Sequence, residues 1–185
     1  YVSLSQKAYN RQPDPFVITR SISLFERTLI SNNSKFDQYL KGEVKLTKSE
    51  QRGMKLFMKE LNCVKCHSGI NFTNYSVQNN GLAPNAIDSG RMRVTKIEED
   101  RDLFKVPTLR NITLTAPYMH DGRFDELEQV INHYASGGTN HPNKSNLIEP
   151  FSISPKEIKS LMAFLETLTD QNFINIKSYG PPTSW

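Results

Sequence analysis

Cys63, Cys66 and His67 stand in the order C-x-x-C-H, and no other cysteine occurs in the chain. That spacing is the attachment signature of c-type haem. The two thiols add across the vinyl groups of a porphyrin, and the adjacent imidazole supplies a nitrogen to the iron. A thioredoxin-like redox pair would sit between a strand and a helix in a βαβ pattern, and no such pattern surrounds these residues. A structural zinc site would bring a second pair of ligands at knuckle spacing, which is lacking. Two cysteines also cannot build a disulfide framework. The reading is one covalent haem c, with Cys63 and Cys66 as attachment points and His67 as an iron ligand.

An iron held on one side by His67 has a second axial position, and its ligand sets the chemistry. A thioether raises the potential and suits an electron reservoir; a phenolate, being anionic, stabilises the oxidised metal. The stretch "APYMHDGRFDELEQVINHYASGG", residues 116–138, carries the main candidates, Met119 and Tyr134. Met92, His120 and His141 are weaker ones. Leu127, Val130, Ile131 and Tyr134 fall at i, i+3, i+4, i+7, one apolar stripe of a helix. This points Tyr134 inward and leaves His133 on the solvent face. A buried tyrosine is more often a core residue than a ligand, so spacing alone leaves Met119 and Tyr134 both open.

The elements that must position these groups are also legible. Thr47 and Glu50 form a capping box, so a helix should begin near Lys48 and bring Gly53, Leu56 and Phe57 onto one face. Ser154, Pro155 and Glu157 give a second start signal, followed by Ile158, Leu161, Met162 and Leu165 at helical spacing. Asp125 and Glu128 suggest a third, closed by Gly137 and Gly138. The predicted helices cover 48–60, 125–135 and 155–168, with one more near 15–30 whose buried stripe is Ile18, Ile22, Phe25 and Leu29. Small Gly53 would let the first and last helices of the haem domain cross closely. The stretch 70–104, rich in Asn, Gly and Asp, should be loop.

Composition fits this picture. The chain has 185 residues, 37% hydrophobic and 23% charged, enough for one packed domain with an added arm. Net charge is +4 with the signs interspersed, so no basic stripe marks a nucleic-acid surface. No apolar run approaches the roughly 20 residues of a membrane span. The expected fold class is mainly α: an N-terminal helical arm (1–43), a cytochrome-c-like haem domain with long loops (44–169) and a C-terminal tail (170–185).

Two longer strings carry a resemblance. "FKVPTLRNITLTAPYMHDGRFDELEQVINHYASGG" (104–138) resembles the C-terminal haem domain of bacterial di-haem cytochrome c peroxidases and the related MauG enzymes. "FERTLISNNSKFDQYLKG" (25–42) resembles the segment that joins their two haem domains. The resemblance implies His67 as proximal ligand. The distal ligand is the residue fourteen places after the His of the "HDG" motif, Met in most peroxidases and Tyr in MauG; here it is Tyr134. It further implies Glu26 as an acid over the peroxide-binding haem and a calcium ion held by the backbone carbonyls of Thr115 and Pro117.

The implied function is the electron-transfer half of a di-haem peroxidase or MauG-like oxidoreductase, which reduces hydrogen peroxide or stores its oxidising equivalents. The implied partners are an N-terminal peroxidatic haem domain or chain and a small redox protein as electron donor, with a homodimer as assembly and the periplasm as location. The departure is the single C-x-x-C-H where the family carries two. The start at Tyr1 suggests a piece of a longer polypeptide, inactive as a peroxidase by itself. A mono-haem electron carrier without peroxidase activity is the alternative, and a haem-holding structural module a third reading. The tryptophan that bridges the two haems in the family has no counterpart, since the only Trp is the terminal Trp185.

Overall fold

The computed structural model describes residues 1–83 and 87–180; Trp185 and the end of the tail lie outside them. The chain forms two compact units. One comprises Tyr1–Asn33 with the segment from Gln171 onward, the other Ser34–Asp170.

The larger unit is helical. It contains α3 (Lys35–Leu40), α4 (Lys48–Lys55), α5 (Met92–Thr95), α6 (Leu127–Ala135) and α7 (Pro155–Glu166), with a two-stranded antiparallel ribbon, β1 (Val77–Gln78) and β2 (Phe104–Lys105). Both expected capping boxes form. Thr47 Oγ1 accepts from the Glu50 N–H, and Ser154 Oγ accepts from the Glu157 N–H. The start of α6 differs by one residue: its N-cap is Glu126, with Gln129 closing the box, instead of Asp125 with Glu128. The Gln129 amide oxygen accepts from the N–H groups of both Asp125 and Glu126, which a carboxylate at 128 is not placed to do.

α4 and α7 form the centre of the unit. A Cβ on Gly53 would lie 1.9 Å from the Ser160 carbonyl oxygen, so the two backbones touch where only glycine fits. Beyond Lys55 the helix widens into a π-helical turn, Leu56–Glu60, which ends at the left-handed Asn62 immediately before Cys63. Phe164 is fully buried and meets the rings of Phe36 and Phe57 at 5.4 and 5.3 Å. The apolar stripe of α7 is therefore Ile158, Leu161, Phe164 and Leu165, continued by Leu168 just past its end, with Met162 only partly buried at its edge. Phe36 in this core explains why the compact unit begins at Ser34, ahead of the boundary expected at 43/44. The 70–104 stretch is mostly loop, as its composition suggests, interrupted by β1, the one-turn α5 and a short 3-10 turn.

The smaller unit holds α1 (Val2–Tyr9), α2 (Pro15–Thr28) and α8 (Gln171–Ile174). Asp14 caps α2 by accepting from the Val17 N–H, and Pro15 occupies its first position. Within the unit, the Tyr179 hydroxyl donates to the Thr28 carbonyl at 2.6 Å. The stripe expected to be buried on α2 is not: Ile18, Ile22 and Phe25 are 52%, 53% and 48% exposed. Periodicity identifies an apolar face correctly but not what covers it.

Candidate haem site

Asn62 and a 3-10 turn over Cys63–Lys65 carry the C-x-x-C-H. The His67 N–H donates to the Cys63 carbonyl at 2.9 Å, closing the loop that holds both sulfurs. Both cysteines are free thiols and only partly buried. Burial pushes the Cys63 thiol up to about 11 and raises Cys66 as well. Both are thus protonated near neutral pH. His67 Nδ1 lies 3.0 Å from the Phe72 carbonyl oxygen. Its Nδ1–H donates there, which fixes the tautomer and leaves the Nε2 lone pair for a metal. Burial holds the imidazole below its usual pKa despite hydrogen bonds to the Phe72 and Pro107 carbonyls, favouring the neutral ring that ligates.

The "KVPTLRN" string braces this loop. The Thr108 hydroxyl donates to the Asn71 carbonyl at 2.6 Å, and Arg110 Nε donates to the Ile70 carbonyl at 2.8 Å. β1 pairs with β2 just ahead of the string, and Thr73 Oγ1 bonds the Val106 carbonyl.

Tyr134 and Met119 come together. Asn80 Nδ2 lies 3.4 Å from the Tyr134 hydroxyl and 3.5 Å from the Met119 sulfur. Tyr134 is partly accessible as a residue, but burial of its hydroxyl end pushes the phenol above its usual value. The Asn80 bond acts against that shift, while the thiols of Cys66 and Cys63 add to it. The phenol is thus near enough to the two cysteines for their charges to bear on its ionisation. Met119 reaches the place from a left-handed backbone at φ 74°, a conformation that costs a non-glycine residue about 1 kcal/mol.

The other candidates separate from the site. His141 accepts at Nδ1 from the Asn143 N–H (3.0 Å) and donates from Nε2 to Asp102 Oδ2 (3.0 Å), so both its nitrogens are engaged. His120 stacks on Phe104 with ring centroids 3.7 Å apart. His133 is a correction: it is half-buried, not on a solvent face, because Nε2 donates to the Asn80 carbonyl at 3.0 Å. Met92 sits on the one-turn α5. Glu26 is exposed on α2 in the smaller unit. Thr115 and Pro117 are exposed, and among the described residues no hydrogen bond ends on either carbonyl.

Sequence reasoning passed over Asn80, Asn79 and Asp102. Asn79 and Asp102 are buried and Asn80 is half-buried. No local pattern in the 70–104 stretch distinguishes them from solvated turn residues.

Free thiols on one turn, an imidazole with a fixed lone-pair nitrogen, and a phenol and thioether brought together at Asn80 fit covalent haem c. Comparisons with known proteins agree. The sequence model for cytochrome c matches residues 50–169, and that for di-haem cytochrome c peroxidase matches residues 1–45. The methylamine utilization protein MauG of Methylorubrum extorquens is 38% identical over 153 residues, covering 82% of this chain and 43% of MauG. The cytochrome c551 peroxidase of Nitrosomonas europaea is 40% identical over 157 residues, covering 82% of this chain and 44% of that protein. The crystal structure of a MauG-like protein associated with microbial copper homeostasis superposes with a TM-score of 0.86 at 32% identity, covering 98% of this chain and 61% of that one. The chain spans about half the length of the curated relatives it matches. With a cytochrome c match over most of its length and a di-haem cytochrome c peroxidase match ahead of it, the chain belongs to the di-haem cytochrome c peroxidase and MauG family.

Proposed function

We propose that this chain is the electron-transfer haem c half of a di-haem peroxidase or MauG-like oxidoreductase, and that it works with a second haem domain lying outside these residues. Bound haem supplies a reversible one-electron couple. His67 offers Nε2 on one side, and Tyr134 is the distal ligand we propose on the other. The observation that supports this reading is the Tyr134 hydroxyl on α6, buried, 3.4 Å from the Asn80 amide and near enough to Cys66 and Cys63 for their charges to bear on its ionisation. A phenolate there favours the oxidised metal and suits storage of oxidising equivalents better than simple electron carriage. With both axial positions filled from the chain, peroxide is excluded from this site and reacts elsewhere.

The exposed stripe Ile18, Ile22 and Phe25 on α2 supports a partner domain, since an electron carrier acting alone gains nothing from it. The partner we propose is the peroxidatic haem domain. Hydrogen peroxide is the substrate, a small redox protein the electron donor, and a homodimer the assembly. Glu26, on the same helix, could act as the proton-transferring acid only where that domain encloses it. The open carbonyls of Thr115 and Pro117 suit a calcium ion, a hard cation that takes oxygen ligands. No helix among the described residues is long and apolar enough to cross a membrane. Because haem is attached to C-x-x-C-H outside the bacterial cytoplasm, we place the protein in the periplasm.

The test is to mature the chain with haem, confirm one haem by mass, and add peroxide with and without a separately produced peroxidatic domain. Turnover only in the mixture supports the proposal. Rapid turnover by this chain alone would refute it.

A further inference from the structure

Asn79 and Asn80 lie in the 70–104 loop, far from α6 in sequence, yet their contacts reach the distal side from two directions. The Asn80 side-chain amide has two N–H donors and two acceptors within reach, the Tyr134 oxygen at 3.4 Å and the Met119 sulfur at 3.5 Å. Its backbone is held in place. The carbonyl accepts from His133 Nε2 at 3.0 Å, and His133 is the neighbour of Tyr134 on α6. Gly138 packs so closely on this segment that a Cβ there would lie 2.8 Å from the Asn80 carbonyl oxygen. Asn79 anchors the other side: its Oδ1 accepts from the Gly81 N–H at 2.7 Å, and its amide lies 3.1 Å from His141 Nδ1. His141 is in turn fixed by Asp102. A buried network of this kind restricts Asn80 to a narrow set of side-chain angles.

We infer that Asn80 is the positioning residue of the distal ligand: its amide grips the Tyr134 oxygen and the Met119 sulfur together and so sets which donor reaches the metal, and how strongly. This rests on the proposal that Tyr134 is the distal ligand. A donor on a phenolate oxygen draws charge from it and weakens its bond to oxidised iron. Removing the amide leaves a stronger donor, so the potential falls. The stronger donor also resists displacement, so an added ligand competes less well.

The test uses the haem-loaded chain with Asn80→Leu, which keeps the volume without donors, and Asn80→Asp, which keeps the shape without an N–H. Both variants are checked for folding and haem content. The expected result in both is a lowered midpoint potential and an altered ferric spectrum. Added imidazole should bind about tenfold more weakly, because the phenolate it must displace is the stronger donor; tenfold corresponds to about one net hydrogen bond. Either variant suffices if the other fails to fold. Folded variants with the wild-type potential, spectrum and imidazole affinity overturn the inference. Tyr134→Phe is measured alongside. If it changes the spectrum while the Asn80 variants do not, only the Asn80 inference fails. If it changes nothing, the ligand assignment fails, and an Asn80 effect that vanishes in Met119→Leu transfers the positioning role to the thioether.

Discussion

The Asp37 carboxylate receives two parallel hydrogen bonds from the Arg110 guanidinium, each 2.8 Å long, in a pocket where the two side chains are 10% and 6% exposed. The same guanidinium reaches the Ile70 carbonyl, three residues past His67. One side chain thus ties α3 to the loop that carries the haem attachment site. Removing one partner of such a pair leaves a buried charge uncompensated and costs about 3–5 kcal/mol. Arg110→Ala should lower the thermal transition strongly, and calorimetry of the haem-loaded chain checks it. An unchanged transition would show that the pair contributes nothing net.

The same pair predicts an acid sensitivity. Burial alone would raise the Asp37 pKa, but hydrogen bonds from Arg110 and Ser34 outweigh it and hold the group below its ordinary 3.8. The folded pKa is therefore the lower one. The stabilisation is complete above the unfolded value and is lost as pH falls through the folded value. Stability should decline as pH drops below about 4, and the slope should be shallower in Asp37→Asn. Urea titrations across that range measure it.

Gly53 faces the Ser160 carbonyl across the α4–α7 crossing with no room for a methyl group. Gly53→Ala should force the helices apart and cost about 3 kcal/mol or more, even though alanine is the better helix former. A variant as stable as the wild type would mean that the helices slide without penalty.

What the sequence revealed and what it concealed follow from the range of the interactions. The capping boxes at Thr47 and Ser154 and the signature at Cys63 are local, so a few residues suffice to recognise them. Gly53 stood out because a glycine inside a helix needs a reason. The cap of α6 slipped by one residue because Gln129 replaced the expected Glu128 in an equivalent role. His133 was misplaced because a helical wheel shows only one helix, and the Asn80 carbonyl that captures its ring comes from a distant loop. Asp37–Arg110 and Asn80–Tyr134 join positions 73 and 54 residues apart, which no period or spacing encodes. The exposed stripe of α2 is the converse case, a correct apolar pattern whose residues stay about half exposed.

That stripe yields a prediction about association. Ile22→Asp places a charge at an exposed position, so the stability of the chain itself should change by no more than about 0.5 kcal/mol. Binding to a separately produced peroxidatic haem domain should weaken at least tenfold, because the charge must be desolvated on docking. Titration calorimetry reads both partners directly. Equal affinity would move the docking surface away from α2.

The distal ligand is the point on which the chemistry turns. The enclosed hydroxyl of Tyr134 stays protonated in the haem-free chain, since burial raises its pKa. Only coordination to a cation would ionise it near neutrality. Tyr134→Phe removes the oxygen and keeps the ring, so the packing of α6 through its own Leu127 and Ile131 should survive. In the haem-loaded chain the ferric spectrum should change and the midpoint potential should rise, because the anionic donor to oxidised iron is gone. Met119→Leu should leave both nearly unchanged. The reverse pattern, with Met119→Leu shifting the spectrum and Tyr134→Phe silent, would assign the thioether to the metal. It would also turn the domain from a store of oxidising equivalents into an electron reservoir of higher potential.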